Sequence, residues 1–123
     1  MRPVNALRLV LLTALLLTFG CKSNNKGKIE GTKWSSVAST VKGRSVPAGA
    51  LQLEFRSDGN LVYRAGSQSY TGTYSLGTGD TVTLNLNQEL AGRKTHVEKV
   101  VIRGDYLTMI DSDGTELSFE KMK

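Results

Sequence analysis

Short runs of alternating apolar and polar residues, separated by turns rich in glycine and aspartate, make up the chain from residue 29 onward. In residues 51–56, leucine and phenylalanine alternate with glutamine, glutamate and arginine, and the turn-forming residues 57–60 (SDGN) follow at once. A period of two puts every second side chain on one face of a β-strand, and Asp-Gly pairs suit tight hairpin turns. No stretch of useful length has the period of an amphipathic helix. The pattern therefore predicts an all-β domain.

About eight strands are predicted, in an up-and-down order. They are a first strand near Trp34 and then residues 51–56, 61–65, 70–76, 82–86, 97–103, 106–111 and 115–121. Closing such a sheet removes the exposed edges that would otherwise pair with other chains, so we predict a small antiparallel barrel, with a two-sheet β-sandwich as the alternative. Residues 41–50 and 88–93 interrupt the alternation and are predicted to be loops, which carry function more often than strands do.

The start of the chain has the organisation of a bacterial export signal. Arg2 and Arg8 come first, a short apolar run covers residues 9–17, and polar residues begin at Lys22. The run is too short for a permanent membrane-spanning helix, which needs roughly 20 apolar residues. We therefore predict a cleaved signal peptide over residues 1–20.

Residues 17–21 (LTFGC) resemble a bacterial lipobox, although Thr18 stands where leucine is usual. The resemblance implies cleavage before Cys21 and acylation of its sulfur, which makes membrane lipid a partner of the mature protein. Cys21 is the only cysteine, so an intramolecular disulfide is excluded. Several acyl chains anchor a protein stably, whereas one chain does so only marginally.

The mature chain is then a lipidated cysteine with a polar tether (residues 21–28), followed by one β-domain (residues 29–123), because about a hundred residues suffice for a single core. The residue after the cysteine is Lys22 rather than aspartate. By resemblance to the proteobacterial sorting rule, this favours the outer membrane over the inner one. The predicted location is the cell envelope.

Charge and motifs argue against several classes of function. Loss of Arg2 and Arg8 with the signal lowers the formal charge from +5 to +3, and the remaining basic residues are scattered. Nucleic-acid binding needs a basic stripe with stacking aromatics and is not expected. His96 is the only histidine, and no catalytic triad, paired-carboxylate motif or phosphate-binding loop is visible. We therefore expect neither an enzyme nor a cofactor or metal site.

Five side chains are candidates for lining a ligand cavity, because such cavities are mostly apolar with a few polar groups. They are Trp34, Tyr63, Tyr70, Tyr74 and Met109. The alternative is that they simply pack the core, since aromatic residues dominate the cores of small domains.

Several motifs of the β-domain resemble small lipocalin-like (calycin-type) domains, in particular the short secreted paralogues that planctomycete bacteria carry in many copies. The motifs are residues 29–34 (IEGTKW), 53–59 (LEFRSDG), 72–74 (GTY), 79–84 (GDTVTL) and 102–109 (IRGDYLTM). Gly31 and Trp34 stand one residue further apart than is usual in lipocalins. The resemblance implies a barrel with an apolar cavity and identifies no ligand.

Two hypotheses follow for the function. The first is a membrane-anchored envelope lipoprotein whose barrel is a non-enzymatic binding module for a small apolar ligand or an envelope protein. The alternative is a structural or accessory envelope lipoprotein without a ligand cavity. The two differ physically, because a binder must keep an internal void, whereas protein interiors normally contain few voids larger than a water molecule.

Overall fold

The computed structural model describes residues 22–123, so the predicted signal peptide and Cys21 lie outside the described residues. The described part contains ten strands and no helix, and hence no helix long and apolar enough to cross a membrane. The strands are β1 (Thr32–Ser36), β2 (Ser39–Val41), β3 (Arg44–Val46), β4 (Leu51–Phe55), β5 (Asn60–Ala65), β6 (Gln68–Leu76), β7 (Thr81–Leu90), β8 (Arg93–Arg103), β9 (Tyr106–Ile110) and β10 (Glu116–Lys121).

Eight of these strands close into a barrel in the order β1-β10-β9-β8-β7-β6-β5-β4, and β2 and β3 form a separate two-stranded sheet. Every neighbouring pair is antiparallel. Strand β1 closes the barrel, since Trp34 is opposite Leu53 of β4 on one side and opposite Lys121 of β10 on the other. The all-β class and the small up-and-down barrel predicted from the sequence are confirmed, and the sheet does not divide into the two layers of a sandwich.

The interior of the barrel is filled by the apolar half of each alternating run. In β6, buried Tyr70 and Tyr74 alternate with exposed Thr71 and Thr73. Trp34 is fully buried among the inward-facing side chains of neighbouring strands. The other core residues are Ile29, Leu53, Phe55, Leu61, Val82, Leu84, Leu86, Val100, Leu107, Met109 and Phe119.

Successive antiparallel strands place alternate connections at opposite ends of the barrel. We call the end that carries the β4–β5, β6–β7 and β8–β9 turns the lower end. The upper end carries the β5–β6, β7–β8 and β9–β10 turns and the β2–β3 hairpin.

Both segments that were predicted to be loops contain β-strand residues. Residues 41–50 include most of the β2–β3 hairpin, and residues 88–93 extend β7 and β8 to a two-residue turn at Ala91 and Gly92. The sequence of these two segments does not alternate between apolar and polar residues. The reason is that they lie at the upper end, where much of their surface faces solvent rather than a core. Ala91 has φ 52° and Gly92 has φ 79°, a left-handed pair that fits the right-handed twist of a hairpin.

Part of the segment predicted to be a tether is ordered against the lower end. Asn25 is only 1% exposed, and its side-chain amide donates to the Val100 carbonyl at 3.0 Å. Ser23 forms a β-bridge with Gly79 of the β6–β7 turn, and Ile29 is fully buried. A polar segment orders here because the barrel offers it hydrogen-bond partners, which composition alone does not reveal.

Candidate functional site

A cavity of about 120 Å³ lies inside the upper end of the barrel. Its walls are mostly apolar, with a few polar groups among them. The lining residues are Tyr63, Leu84, Leu86, Leu90, His96, Glu98, Met109, Asp111, Thr115 and Leu117. These residues come from β5, β7, β8, β9, β10 and the β9–β10 turn, so one end of the closed barrel is needed to assemble the site.

Strand β8 brings the polar groups into the cavity. Val100 is fully buried and sets which face of β8 points inward. Because side chains of a strand alternate between its two faces, Glu98 and His96 also point inward. They lie two and four residues from Val100, towards the upper end. Val97, between them, is 57% exposed. The inner face of β8 is therefore apolar in the middle of the barrel and polar near its upper opening.

The Glu98 carboxylate is the least satisfied polar group of the site. Its Oε2 atom is buried and has no hydrogen-bond partner in residues 22–123. Burial and the nearby Asp111 carboxylate raise the pKa of Glu98 to about 7, while Arg93 acts in the opposite direction. Glu98 as a whole is half-buried. A buried carboxylate oxygen without a donor is costly, so this position favours either a proton or a bound donor group.

His96 is 8% exposed and is held by its own strand. Its Nε2 lies 2.9 Å from the carbonyl oxygen of Arg93. A carbonyl can only accept, so Nε2 carries the hydrogen, and in the neutral ring Nδ1 is left as an acceptor. The acceptors Glu98, Asp111 and His96 thus line the same small cavity.

Two of the five predicted cavity residues line this cavity, namely Tyr63 and Met109. Tyr63 is held edge-on against Tyr70, with ring centroids 5.9 Å apart. Burial, followed by the neighbouring Tyr70 and Glu98, raises the pKa of the Tyr63 phenol.

The other three predicted residues lie elsewhere. The indole Nε1 of Trp34 donates to Thr32 Oγ1 at 2.7 Å in the packed core. Tyr74 packs edge-on against Phe55 and donates to the Arg56 carbonyl at 2.6 Å, near the lower end. Tyr70 contacts Tyr63 and donates to Gln68 Oε1 at 2.7 Å. The sixth predicted site residue, Cys21, lies outside the described residues.

Sequence reasoning missed His96, Glu98 and Asp111. The signal that could have found the first two is the phase of β8, because assigning Val100 and Ile102 to the core puts residues 96 and 98 on the same face. Asp111 is placed by the sequence pattern at the end of the predicted strand 106–111 and is not among the predicted cavity residues. It does accept backbone hydrogen bonds within its turn, yet it also lines the cavity.

The β2–β3 hairpin is tied to the rim of the cavity. The Lys42 ammonium at the hairpin tip forms an ion pair with Asp113 of the β9–β10 turn. Side-chain hydrogen bonding with Asp111, and then with Lys42, holds the pKa of Asp113 far below its usual range. The pair is exposed, so it positions the hairpin without adding much to stability.

Within residues 22–123, no group of three or more His, Cys, Asp or Glu side chains is arranged to hold a metal ion. Comparison with protein-family models, with curated proteins and with solved structures found no match.

Proposed function

We propose that this chain is an exported lipoprotein, anchored to the envelope membrane through acylated Cys21, whose barrel is a non-enzymatic binding module for a small, mainly apolar ligand. The observation that supports the binding role is the cavity at the upper end. Protein interiors are close-packed and keep few voids larger than a water molecule. A void lined by leucines and a few polar groups has the composition of a ligand site.

The size of the cavity limits the ligand. About 120 Å³ is well below the roughly 300–1,000 Å³ of pockets that hold drug-sized molecules. It is close to the about 150 Å³ of an engineered apolar cavity that takes benzene. The proposed ligand therefore has only a handful of heavy atoms inside the barrel. The lipocalin-like resemblance, which implies an apolar cavity, stays a prediction.

The anchor rests on the sequence of the first 21 residues. A cationic start, a short apolar run and the Gly20-Cys21 pair together favour lipoprotein export, and Lys22 favours the outer membrane. The proposed partners are thus membrane lipid at Cys21 and a small ligand in the cavity. An envelope protein as the partner, or a purely structural role, would make the cavity incidental.

Native mass spectrometry of the mature protein from the membrane fraction tests both halves of the proposal. We expect acyl mass on Cys21 together with a non-covalently bound small molecule. Cys21→Ser should abolish the acyl mass and the membrane association. Leu86→Phe should fill the cavity and lose the bound molecule, whereas Val101→Phe, on the outer face of β8, should retain it.

Each part of the proposal has an outcome that contradicts it. Acylated protein without any bound molecule would contradict the binding role and favour the structural alternative. Soluble, unacylated protein would contradict the anchor. Retention of the bound molecule by Leu86→Phe, with an unchanged unfolding midpoint, would show that the molecule sits outside the cavity.

A further inference from the structure

The acceptors in the cavity restrict the chemistry of its ligand. Glu98 Oε2 is buried and has no hydrogen-bond partner in the described part of the chain, and the carboxylate of Asp111 lines the same space. Four leucines and Met109 supply the apolar part of the wall. A ligand that satisfies this wall needs a hydrogen-bond donor at one end and a short apolar body at the other.

The charges around Glu98 determine whether the donor group of the ligand is neutral or positively charged. The carboxylates of Asp111 and Asp113 face it from the β9–β10 turn, and they oppose its ionisation. Arg93 lies on the same strand and favours ionisation, yet the ion pairs found in residues 22–123 are Lys42–Asp113 and Arg56–Glu54 only. The other polar side chains that line the cavity are those of His96, Tyr63 and Thr115. The polar side of the cavity is therefore acidic, and neither Glu98 nor Asp111 forms an ion pair with a residue of the range 22–123.

We infer that the cavity accepts a short primary amine in its protonated form, with the ammonium group against the Glu98 carboxylate and the alkyl chain against the leucines. This inference rests on the proposed binding function. An ammonium group offers three donors, and Glu98 Oε2, which has no hydrogen-bond partner within residues 22–123, is an acceptor for one of them, with the Asp111 carboxylate lining the same space. A carboxylate ligand of the same length would instead meet like charges, which is unfavourable in a small apolar space.

A comparison of three four-carbon probes tests the inference. The mature acylated protein, in lipid nanodiscs, is titrated with n-butylamine, n-butanol and n-butyrate, and binding is followed by chemical-shift changes of residues around the cavity. At pH 8 we expect the amine to bind about tenfold more tightly than the alcohol, as is typical of a hydrogen bond to a charged group. Butyrate should bind most weakly of the three.

Two further measurements test whether Glu98 causes the preference for the amine. Because its pKa is about 7, the preference for the amine should shrink as the pH falls to about 5 and the carboxylate takes up a proton. Glu98→Gln keeps the shape of the side chain and should lose the preference and its pH dependence while still binding n-butanol. Glu116→Gln, on the exposed face of β10, should behave as the wild type.

The outcomes separate this inference from the proposed function. If n-butanol or n-butyrate binds as tightly as the amine, or if the pH dependence persists in Glu98→Gln, the amine inference is overturned and the binding function stands. If none of the three probes binds the cavity, the proposed binding function fails and the inference with it. The pH series on the wild type remains decisive even if Glu98→Gln does not fold.

Discussion

Glu98 occupies an inward position of β8, in line with Val100, which is fully buried. Such a position usually holds an apolar residue in a small barrel, because an ionised group is costly to remove from water. The cost is visible in the pKa, which burial and Asp111 raise from 4.5 to about 7. A residue whose position costs stability in this way is consistent with the proposed binding role.

The pH dependence of stability measures that cost. An acid whose pKa is raised by folding binds more protons in the folded state, so its contribution weakens as the pH rises through the interval between its two pKa values. We expect the free energy of unfolding to fall between about pH 5 and about pH 8, and Glu98→Gln to be more stable than the wild type at pH 8 by about 1 kcal/mol, after allowance for solvent screening. Urea unfolding at both pH values checks this.

The other shifted carboxyls do not interfere in that range. The pKa values of Asp58 and Asp113 are lowered, so these groups titrate in more acidic solution. Glu116→Gln serves as the control and should keep the slope of the wild type. An identical slope in Glu98→Gln would mean that Glu98 is not the group responsible.

Gly72 lies where the backbones of β6 and β7 approach each other too closely for a side chain. A methyl group added there would collide with the Asn85 carbonyl oxygen and lie 2.8 Å from the Leu86 Cα, both on the backbone of β7. Backbone atoms cannot yield as a flexible side chain can, and glycine in a strand often marks such a contact.

Gly72→Ala should therefore lower the free energy of unfolding by about 3 kcal/mol, the scale of overpacking in a core. Gly66→Ala is the matched control, since its added methyl group meets open space and its cost is only the left-handed backbone, about 1 kcal/mol. Equal losses in the two variants, measured by urea unfolding, would contradict the proposed clash.

At the scale of elements, the β7–β8 hairpin turns through a residue that is poorly suited to its conformation. Ala91 has φ 52°, whereas asparagine and glycine are preferred at the first position of this turn. The β2–β3 hairpin has the same geometry at Lys42 and Gly43, but Lys42 also pairs with Asp113. Ala91 is thus the simpler place to test the turn.

Ala91→Asn should stabilise the protein by about 0.5–1 kcal/mol, because asparagine tolerates the left-handed conformation better than alanine does. Ala91→Val, with a branched side chain in the same conformation, should destabilise it. The thermal unfolding midpoints of the two variants are expected to lie on opposite sides of the wild-type value. A decrease for both would show that the turn has a different conformation.

The N-terminal segment closes the lower end through one buried amide. Asn25→Ala removes the hydrogen bond to the Val100 carbonyl in a buried place, and we expect a loss of about 2 kcal/mol in the free energy of unfolding. Asn24→Ala is a matched control, because Asn24 also donates from its amide, to Asp80, but in an exposed place. Similar small losses in both variants would mean that the segment behaves as a free tether.

At the scale of the whole molecule, Lys22, which follows the proposed anchor in the sequence, and the cavity lie at opposite ends of the barrel. Gly79 of the lower end donates to the Lys22 carbonyl at 3.1 Å, so the residue next to Cys21 is held there. The cavity is lined by residues of the upper end. The 11 residues of β8 imply a barrel height of about 25 Å once strand tilt is included. An acylated protein would thus direct the cavity away from its membrane.

Site-specific fluorescence can check this orientation. Cys21 is the only cysteine, and the proposed acylation would block its sulfur, so an introduced cysteine would be labelled alone. In vesicles with nitroxide-labelled headgroups, a fluorophore at Asp105→Cys, in the lower β8–β9 turn, should be strongly quenched. One at Ala91→Cys, in the upper turn, should be quenched at most half as much, and the reverse order would contradict the orientation.

The local pattern of residues determined the strands and the closed barrel. Alternation such as that of Leu51, Leu53 and Phe55 fixes a face within a few residues of chain, and antiparallel strands joined by short turns are most stable when no edge is left open. The candidate cavity was predictable only in part, through Tyr63 and Met109, because aromatic and sulfur-containing side chains fill a core or line a void equally well.

Only the tertiary structure decided where the void lies and which polar groups face it. The volume of the cavity depends on how side chains from five strands and a turn pack together in space. No local sequence pattern predicts that packing. Glu98 and His96 alternate with Val97 and Lys99 in the sequence, and either pair could face inward until the buried Val100 sets the register. Likewise, the sequence predicts that Asn25 is solvated. In the structure it is buried, because the barrel provides the Val100 carbonyl as its hydrogen-bond partner.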